Sequence, residues 1–350
     1  MNTTDPELRT TTQNSLSPEG LERRLHSIFR GEVPENEIEQ LLLELSEAPI
    51  QASALAAAAR ALRDHGATIR PQVRPLIDTC GTGGDGACTF NISTASALVL
   101  AAAGVAVAKH GNRAVTSKAG SADVLEAAGC QLELEPTRCR ELLDATGFTF
   151  LFAPRFHPAM RHVAAARKRL NRRTLFNVLG PLANPAAADF QLVGVYAPEL
   201  TEVVAEALGE LGSRGALVVH CEGLDEVGLH AVTRGHRLRE GRIEPFALDP
   251  LDFGFEREPV SSIQGAADAE GNAELLRRAI TGEDGPRSRI VALNTAVALE
   301  VCGAEPGLQS ALRRTQRVIK SGAALRVLER YASSTQRGER TAGPTTGGLR

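Results

Sequence analysis

The sequence predicts an α/β protein that has a small N-terminal helical domain and a larger α/β domain with a mainly parallel central sheet. Two patterns carry this prediction. Residues 18–65 contain apolar residues at helical spacing with no strand between them, whereas short apolar strands alternate with helices from residue 75 onward. The length of 350 residues fits about two domains, since one domain takes roughly 150 residues.

Composition and charge argue against several classes of protein. The 39 basic and 42 acidic residues give a net charge of -3, which is unlike a protein that coats nucleic acid or an anionic membrane. The longest apolar run covers only residues 97–108, which is too short for a membrane-spanning helix of about 20 residues. A polar N-terminus without a secretory signal, and six cysteines without metal-binding spacing, predict a cytoplasmic protein with reduced thiols.

The helical domain is assigned to residues 18–72, through which apolar residues recur at helical spacing. A later segment, 158–189, is rich in Arg and Pro. We expect it to form a helix and a rigid loop, part of which completes the helical domain. Residues 1–17 and 332–350 lack apolar periodicity and are predicted to be disordered tails.

The α/β domain is assigned to residues 73–331. Its strand candidates are Leu76–Asp78, Val105–Ala108, Gln131–Glu133, Phe148–Phe152, Leu192–Tyr196 and Ala216–His220. Its helix candidates are 93–103, 121–128, 138–145, 200–211, 269–281, 287–303 and 307–330, and a hairpin is predicted at 235–248. Because strands alternate with helices, most strands are expected to lie parallel.

A glycine-rich segment, Gly81–Gly86, directly follows the first predicted strand. Such a loop lets backbone N–H groups turn toward the phosphates of a ligand. A helix start follows at Asn91–Thr94, with Ser93 or Thr94 as its expected N-cap, and the first N–H groups of a helix favour an anion. The segment has neither the nucleoside-triphosphate nor the dinucleotide glycine pattern.

Two further polar segments are suited to a phosphate ligand. Lys109–Arg113 follows the second predicted strand, where ligands gather in open α/β sheets, and it offers two cations, a histidine and an asparagine. Ser117–Asp123 opens a predicted helix. Ser121 is interpreted either as the cap of that helix or as a phosphate contact.

A pair of carboxylates and an isolated arginine complete the candidate site. Asp225 and Glu226 follow the last predicted parallel strand, and adjacent carboxylates there can hold Mg²⁺, which takes oxygen ligands and often bridges to phosphates. The segment Phe152–Met160 leads through His157 to Arg167. A guanidinium at this position could pair with a small carboxylate.

Seven motifs, taken in order, resemble those of the anthranilate phosphoribosyltransferase family: G-T-G-G-D-G, N-I-S-T, K-H-G-N-R, G-S-A-D-x-L-E, H-P-A-M-x-H, R-T-x-F-N-x-L-G-P-L-x-N-P and G-L-D-E. The resemblance covers about residues 20–330, and the motifs are specific only as a set. It implies a helical and an α/β domain with the active site between them, and a homodimer formed through the helical domain. It also implies Mg²⁺-dependent transfer of a phosphoribosyl group from 5-phosphoribosyl-1-diphosphate to the amine of anthranilate, in tryptophan biosynthesis.

The resemblance also implies roles for individual residues. The residues implied to bind the diphosphate sugar are Gly81, Gly84, Asp85, Thr89, Asn91, Ile92, Ser93, Thr94, Lys109, His110, Gly111, Asn112, Arg113, Ala114, Val115, Thr116, Ser117 and Ser121. Those implied to bind anthranilate are Gly81, His110, Asn112, His157, Arg167 and Pro181. Those implied to hold Mg²⁺, with two ions per active site, are Ser93, Asp225 and Glu226. The candidate catalytic residues are Lys109, Arg113 and His110, the last as a candidate general base.

The residues leave other functions open. These are a phosphoribosyltransferase for another aromatic amine, a nucleoside phosphorylase, and a catalytically silent relative that binds nucleic acid. The acidic pair suits Mg·diphosphate better than phosphorolysis, and the charge balance disfavours nucleic acid. The sequence departs from the family pattern at Thr116, Ala119, Asn171 and Gly228, which bears on substrate affinity rather than on the type of reaction.

Overall fold

The computed structural model describes residues 17–114 and 118–336. It begins with a helical unit, which consists of α1 (Pro18–Phe29), α2 (Glu35–Glu47) and α3 (Ala52–Asp64). Ser17 caps α1, because its Oγ accepts a hydrogen bond from the N–H of Gly20 at 3.1 Å. The apolar residues of each helix lie on a buried side, as their spacing predicts.

A seven-stranded sheet follows. Its strands are β1 (Leu76–Gly81), β2 (Ala106–Gly111), β3 (Phe148–Phe152), β4 (Phe190–Gly194), β5 (Gly215–His220), β6 (Thr233–Arg239) and β7 (Arg242–Leu248). Their order is β3-β2-β1-β4-β5-β6-β7, with β1 to β5 parallel and β6 and β7 antiparallel. The direction in which successive strands are added reverses between β1 and β4, which opens a crevice at their carboxyl ends. The predicted α/β class with a mainly parallel sheet is confirmed.

The remaining helices surround the sheet. They are α4 (Ile92–Ala102), α5 (Ser121–Ala127), α6 (Pro136–Thr146), α7 (Ala153–Phe156), α8 (Arg161–Leu170), α9 (Leu179–Leu182), α10 (Leu200–Glu210), α11 (Ala269–Ile280), α12 (Pro286–Val301), α13 (Leu308–Lys320) and α14 (Ala323–Gln336). Short 3₁₀ turns lie at Pro158–Met160, Leu175–Asn177, Pro250–Phe253 and Val260–Ile263. Within the ranges that the structure describes, no helix combines the length and the apolar content needed to cross a bilayer.

Apolar side chains sort to the two faces of the sheet with the period of a strand. Along β5, Leu217 and Val219 point to the face covered by α4 and α11–α14. Ala216 and Val218 point to the opposite face, where they join α10. Because α10 also packs on α3, the apolar core of the helical unit is continuous with this face of the sheet.

The chain returns to the helical unit after β3. Helix α8 packs against α1 and α2, and α9 packs against α3. Val163 and Ala166 of α8 and Leu182 of α9 are buried in the same apolar cluster as the three N-terminal helices. Residues 161–182 therefore lie against a unit from which β1, β2 and β3 separate them in sequence.

One predicted strand is wrong. Gln131–Glu133 forms a loop and pairs with none of the seven strands that the structure describes. The N–H of Gln131 instead donates to Oγ1 of Thr335 in α14 at 3.0 Å.

The C-terminal helices also differ from their prediction. The helix predicted at 307–330 is two helices, α13 and α14, and Gly322 lies between them with a φ of +66° that ends the first one. Helix α14 then continues to Gln336, so residues 332–336 are not part of a disordered tail. Buried Tyr331 anchors this helix, since its hydroxyl accepts a hydrogen bond from the N–H of Phe150 at 3.0 Å.

Candidate active site

Four polar segments meet at the carboxyl end of the sheet. The glycine loop, Gly81–Gly86, leaves β1, the segment Lys109–Arg113 spans the end of β2, and the start of α4 lies beside both. The acidic turn, defined here as Cys221–Gly228, leaves β5. Since β1 and β4 are neighbours and β5 is next to β4, the topology brings segments that are far apart in sequence to one edge.

Asp225 ties the acidic turn to the glycine loop. Its Oδ2 accepts a hydrogen bond from the N–H of Gly83 at 2.7 Å, and its own N–H donates to Oδ2 of Asp85 at 3.3 Å. Two glycines at strand ends make room for it. A Cβ on Gly81 would clash with the Asp225 carboxylate, and a Cβ on Gly194 would clash with its carbonyl.

Glu226 ties the same turn to the start of α4. Its Oε1 accepts a hydrogen bond from the N–H of Ser93 at 3.1 Å. Oγ of Ser93 accepts from Nζ of Lys109 at 3.2 Å, and this buried ammonium also donates to the carbonyl of Thr79 at 2.5 Å. The prediction that Ser93 or Thr94 caps the helix is wrong, because α4 begins at Ile92 and Asn91 occupies the N-cap position. Ser93 is therefore in the first turn, where its N–H is available to an acceptor.

The electrostatics of this cluster favour a cation. Burial, reinforced by the charges of Asp85 and Glu226, raises the pKa of Asp225. Burial raises the pKa of Glu226 to about 8, although Lys109 opposes the shift. Like charges held together away from water are stabilised by a proton or by a metal ion.

The donor set fits a hard ion that the ligand also coordinates. Asp225, Glu226 and Ser93 offer only oxygen atoms, which suits Mg²⁺. Among the described residues, no group of three or more His, Cys, Asp or Glu side chains is arranged to hold a metal ion by itself. Protein carboxylates completed by substrate phosphates are the usual arrangement for Mg²⁺ in sites of this kind.

The glycine loop adopts a conformation that needs its glycines. Gly83, Gly84 and Gly86 have φ values of +66°, +75° and +78°, a region that other residues rarely adopt. Oδ1 of Asp85 accepts from the N–H of Ala87 at 3.1 Å, which closes the loop. Thr89 lies just beyond, paired with Gln264 through an isolated β-bridge.

The segment after β2 is held by α5. The carbonyl of Asn112 accepts hydrogen bonds from Oγ of Ser121 at 3.3 Å and from the N–H of Ala122 at 3.2 Å. Ser121 is not the N-cap, because α5 begins at Ser121 and the cap position is Gly120. Ala114 is fixed by its N–H, which donates to Asp123 at 2.9 Å.

Arg113 lies in ion pairs. Its guanidinium binds both carboxylate oxygens of Glu126, contacts Asp123 at 3.5 Å and lies 5.3 Å from the ring centre of Phe152. A diphosphate would therefore have to compete with Glu126 for this side chain. Three other residues implied to bind the sugar, Val115, Thr116 and Ser117, lie outside the described residues.

His110 and His157 form a buried pair beside α9. Their ring centres are 5.1 Å apart in an edge-to-face arrangement. Nδ1 of His110 lies 3.1 Å from the carbonyl of Gly180, and Nε2 of His157 lies 2.8 Å from the carbonyl of Ala183, so each of these nitrogens carries the proton. Nε2 of His110 and Nδ1 of His157 are buried without a hydrogen-bond partner in the described part of the chain.

These histidines stay neutral. Burial and the neighbouring His157 lower the pKa of His110 to about 3, and burial lowers the pKa of His157 to about 4. Nε2 of His110 is thus an unpaired acceptor and a weak base at neutral pH. Pro181 is buried next to Gly180, and its carbonyl accepts from Nε2 of Gln191 at 2.7 Å.

Arg167 has no carboxylate as an ion-pair partner within the described ranges. Its guanidinium lies 5.6 Å from the ring centre of Phe176, and burial lowers its pKa. No Asp or Glu within the described ranges forms a salt bridge with it, whereas Arg169 of the same helix pairs with Glu35 and Glu39. A partly buried guanidinium that has no counter-charge in the described part of the chain is suited to an acidic ligand.

Comparisons with known proteins identify the family of this chain. The family model described as "Glycosyl transferase family, a/b domain" matches residues 73–325. An anthranilate phosphoribosyltransferase from Desulfosudis oleivorans is 43% identical over 326 residues, which cover 93% of this chain and 96% of that protein. One from Synechococcus sp. is 45% identical over 314 residues, which cover 89% of this chain and 91% of that protein. This chain belongs to the anthranilate phosphoribosyltransferase family.

Solved structures of anthranilate phosphoribosyltransferases share the fold. That from Thermus thermophilus has a TM-score of 0.86 and 44% identity, with 92% of this chain and 96% of that chain covered. That from Saccharomyces cerevisiae, in complex with PRPP and Mg, has a TM-score of 0.83 and 28% identity, with 93% of this chain and 95% of that chain covered.

Two contacts of this anthranilate phosphoribosyltransferase family member were not predicted from its sequence. Nη2 of Arg173 donates to the carbonyl of Gly84 at 2.5 Å, and its guanidinium lies 4.0 Å from the ring centre of Tyr196. Arg173 opens the motif R-T-x-F-N-x-L-G-P-L-x-N-P, which was a signal, but no role was assigned to it. Asn171, which departs from the family pattern, ends α8 with a φ of +46° and turns the chain just before Arg173.

The second contact lies beneath the site. Asp78 of β1 is buried, and its carboxylate accepts from Nδ2 of Asn184 at 2.7 Å and from the N–H of His110 at 3.3 Å. Burial raises the pKa of Asp78 to about 6, against the effect of Lys109. Asp78 thus links the chain that follows α9 to the segment that holds His110.

Proposed function

We propose that this protein transfers the phosphoribosyl group of 5-phosphoribosyl-1-diphosphate to the amine of anthranilate, in a Mg²⁺-dependent reaction of tryptophan biosynthesis. The products are N-(5-phosphoribosyl)anthranilate and diphosphate. The observation that carries the proposal is the contact of Asp225 and Glu226 with the glycine loop and the start of α4. Relatives at 43% and 45% identity that bear the name anthranilate phosphoribosyltransferase support it.

The diphosphate sugar is proposed to bind along the glycine loop, the start of α4 and the segment after β2. Backbone N–H groups of a glycine loop and of a helix start hold phosphate oxygens without a full charge. Lys109 adds a buried positive charge close to both. The residues proposed are Gly81, Gly84, Asp85, Thr89, Asn91, Ile92, Ser93, Thr94, Lys109, His110, Gly111, Asn112, Arg113, Ala114, Val115, Thr116, Ser117 and Ser121.

Ser93, Asp225 and Glu226 are proposed to hold Mg²⁺, with two ions per active site. When bound, Mg²⁺ supplies the charge that neutralises the diphosphate leaving group. The raised pKa values of the two carboxylates support this assignment, because burial and neighbouring negative charge disfavour their ionised forms and a divalent cation would offset both effects. The S. cerevisiae relative, described as in complex with PRPP and Mg, supports the metal and the sugar together.

Anthranilate is proposed to bind among Gly81, His110, Asn112, His157, Arg167 and Pro181. Arg167 is suited to the carboxylate, since it is partly buried and has no carboxylate partner within the described ranges. Nε2 of His110 is suited to the amine, because it is a neutral acceptor that has no partner among the residues the structure describes. A solved structure of the S. cerevisiae enzyme in complex with 4-fluoroanthranilate supports a ligand of this class.

The chemistry needs little from a general base. The amine nitrogen of anthranilate bonds to C1 of the ribose as the bond from C1 to the diphosphate oxygen breaks, and the nitrogen then loses one proton to solvent. An aromatic amine is already uncharged at neutral pH, so His110 accepts a hydrogen bond and orients the nitrogen rather than removing its proton beforehand. Lys109 and Arg113 are proposed to stabilise the negative charge of the departing diphosphate.

Several expectations stay predictions. They are a homodimer formed through the helical domain, a cytoplasmic location, and the absence of nucleic-acid and membrane partners. The division into a helical domain at 18–72 with part of 158–189, and an α/β domain at 73–331, is also a prediction. Light scattering of the purified protein tests the dimer, and heparin retention at moderate salt tests nucleic-acid binding.

The deciding experiment mixes the purified protein with anthranilate, 5-phosphoribosyl-1-diphosphate and Mg²⁺, and follows the loss of anthranilate fluorescence. The sequence has no Trp, which keeps the protein background low. We expect a loss that requires both the sugar and Mg²⁺. If the fluorescence does not fall but calorimetry still shows binding of the sugar, the acceptor substrate would be another aromatic amine and not anthranilate. No binding of either ligand would favour the silent relative instead.

A further inference from the structure

Asn294 holds the acidic turn from the core. It lies in the middle of α12 and is fully buried. Its Oδ1 accepts a hydrogen bond from the N–H of Val227 at 3.0 Å, and its Nδ2 donates to the carbonyl of Val227 at 2.8 Å. Nδ2 also donates to the carbonyl of Ile290 at 2.9 Å. One side chain thus pairs with both backbone groups of the residue that follows Glu226.

An asparagine in the buried middle of α12 destabilises the fold unless its side chain forms hydrogen bonds. Its neighbours Leu293 and Val297 are buried apolar residues, and asparagine is a poor helix former. A buried amide destabilises a fold unless its hydrogen bonds are made, and here three are made, two of them to Val227. An apolar side chain would serve α12 itself better, so the acidic turn explains the choice of residue.

Other contacts fix the two ends of the turn. Cys221 and Leu224 exchange backbone hydrogen bonds at 2.9 and 3.0 Å. The N–H of Gly228 donates to Oγ1 of Thr233 at 3.0 Å. Gly228 departs from the family pattern, and a Cβ there would clash with Sγ of Cys221. Between these ends lie Asp225 and Glu226, and the Asn294 contact at Val227 is the nearest link from α12 to them.

We infer that Asn294 is a positioning residue for the metal-binding carboxylates. By fixing both backbone groups of Val227, it sets the direction in which Glu226 leaves the turn and keeps Asp225 against the glycine loop. The inference rests on the proposed function, because it assigns Asn294 to the Mg²⁺ site of that reaction. Groups that orient metal ligands without touching the metal commonly change metal affinity by about 10- to 100-fold when they are removed.

The test compares Asn294→Ala with Thr295→Val. Thr295 is the next residue of α12, is fully buried and has a hydroxyl with no partner in the described ranges, so its variant controls for a change in the same core. Calorimetry measures the binding of 5-phosphoribosyl-1-diphosphate over a series of Mg²⁺ concentrations, without anthranilate and therefore without turnover. We expect the Mg²⁺ concentration for half-maximal binding to rise about tenfold or more in Asn294→Ala. We expect it to change by less than about twofold in Thr295→Val.

Each outcome has a consequence. An unchanged Mg²⁺ dependence in folded Asn294→Ala overturns the inference, while Mg²⁺-dependent turnover of anthranilate by the unchanged protein would keep the proposed function. If the unchanged protein binds the sugar without Mg²⁺, the metal assignment of the proposed function fails first. If Asn294→Ala does not fold, Asn294→Ser retains one polar partner and replaces it in the assay. Failure of both variants to fold would make Asn294 a residue of general stability and overturn its specific role.

Discussion

Oδ2 of Asp225 accepts a hydrogen bond from the N–H of Gly83 at 2.7 Å, across 142 positions of sequence. The contact makes the loop after the first strand and the turn after the fifth strand a single structure. A phosphate that binds the loop and a cation that binds the turn would therefore each stabilise the geometry that the other requires. The first prediction concerns the carboxylate of this contact and its neighbour Glu226.

Replacing both carboxylates, as Asp225→Asn with Glu226→Gln, should abolish Mg²⁺-dependent turnover and leave the fold intact. Burial, with the charge of Asp85 adding to it, raises the pKa of both carboxyl groups and so disfavours their charged forms, and neutral amides should therefore not lower the melting temperature in the absence of Mg²⁺. Rate assays and thermal melts, with and without Mg²⁺, measure both effects. Asp284→Asn, at a side chain that is 96% exposed, is the control. Turnover like that of the unchanged protein would refute the metal assignment.

Arg167→Ala should weaken anthranilate far more than the sugar. A charge-assisted pair with a carboxylate contributes about 1.5–3 kcal/mol, which corresponds to a rise in KM for anthranilate of roughly 10- to 100-fold. The KM for 5-phosphoribosyl-1-diphosphate should change little. Arg169→Ala is the matched control, because that arginine lies on the same helix but pairs with Glu35 and Glu39. Equal KM values for anthranilate in the two variants would remove Arg167 from the pocket.

Arg173→Ala should loosen the glycine loop and weaken binding of the sugar. The variant loses the hydrogen bond to the carbonyl of Gly84 and the stacking on Tyr196. At about 1 kcal/mol for such a hydrogen bond, the Kd for the sugar should rise about fivefold. Arg172→Ala, next in the chain and only 3.8 Å from Glu47 in a surface pair, should have no such effect. Calorimetry without anthranilate separates the two variants, and identical Kd values would contradict the prediction.

Acid should destabilise the protein partly through His157. Burial lowers the pKa of His157 to about 4, below the value of about 6.5 for an unfolded chain, so the unfolded state binds the proton more tightly. This contribution to the free energy of unfolding is present above about pH 6.5 and is lost as the pH falls toward 4. It amounts to about 2 kcal/mol between pH 7 and pH 5.

The test of His157 is a variant that keeps its structural bond. His157→Gln retains a donor for the carbonyl of Ala183, which His157 contacts at 2.8 Å, but cannot bind a proton. Urea unfolding at pH 7 and pH 5 should show a smaller loss of stability in the variant. Asp78, whose pKa is raised to about 6, acts in the opposite direction between about pH 4 and 6, but it is present in both proteins. Equal losses in the two proteins would show that His157 does not carry the effect.

Local sequence patterns predicted strands and helices well where the signal lies in consecutive residues. The strand at 148–152 was predicted with its observed bounds, and the first strand with its observed start, because each is a short apolar run bounded by turn residues. Gln131–Glu133 has a similar apolar residue, but the N–H of Gln131 bonds to Thr335 of α14, a contact that depends on the whole fold. The same limit applies to Gly322, because the positive φ of this single residue separates α13 from α14 within one continuous helical pattern of sequence.

The site shows the same division. The glycine loop and the acidic pair could be found from their residue types, because the residues that carry their chemistry are consecutive in sequence. The contacts that Arg173 and Asn294 make with these segments could not be found in this way, since both residues lie in other elements. The ion pair between Arg113 and Glu126 could not be predicted either, because it depends on how α5 folds back over the segment after β2.

The packing of α8 and α9 against the first three helices has a consequence for biosynthesis. Many proteins fold their N-terminal domain on the ribosome while later domains are still being made. Here part of the apolar surface of α1–α3 stays uncovered until α8, α9 and α10 have been made and have left the ribosome. The nascent chain must therefore carry an exposed Leu- and Ala-rich surface while the first three strands emerge. A chaperone that shields such surfaces would act on this protein during that interval.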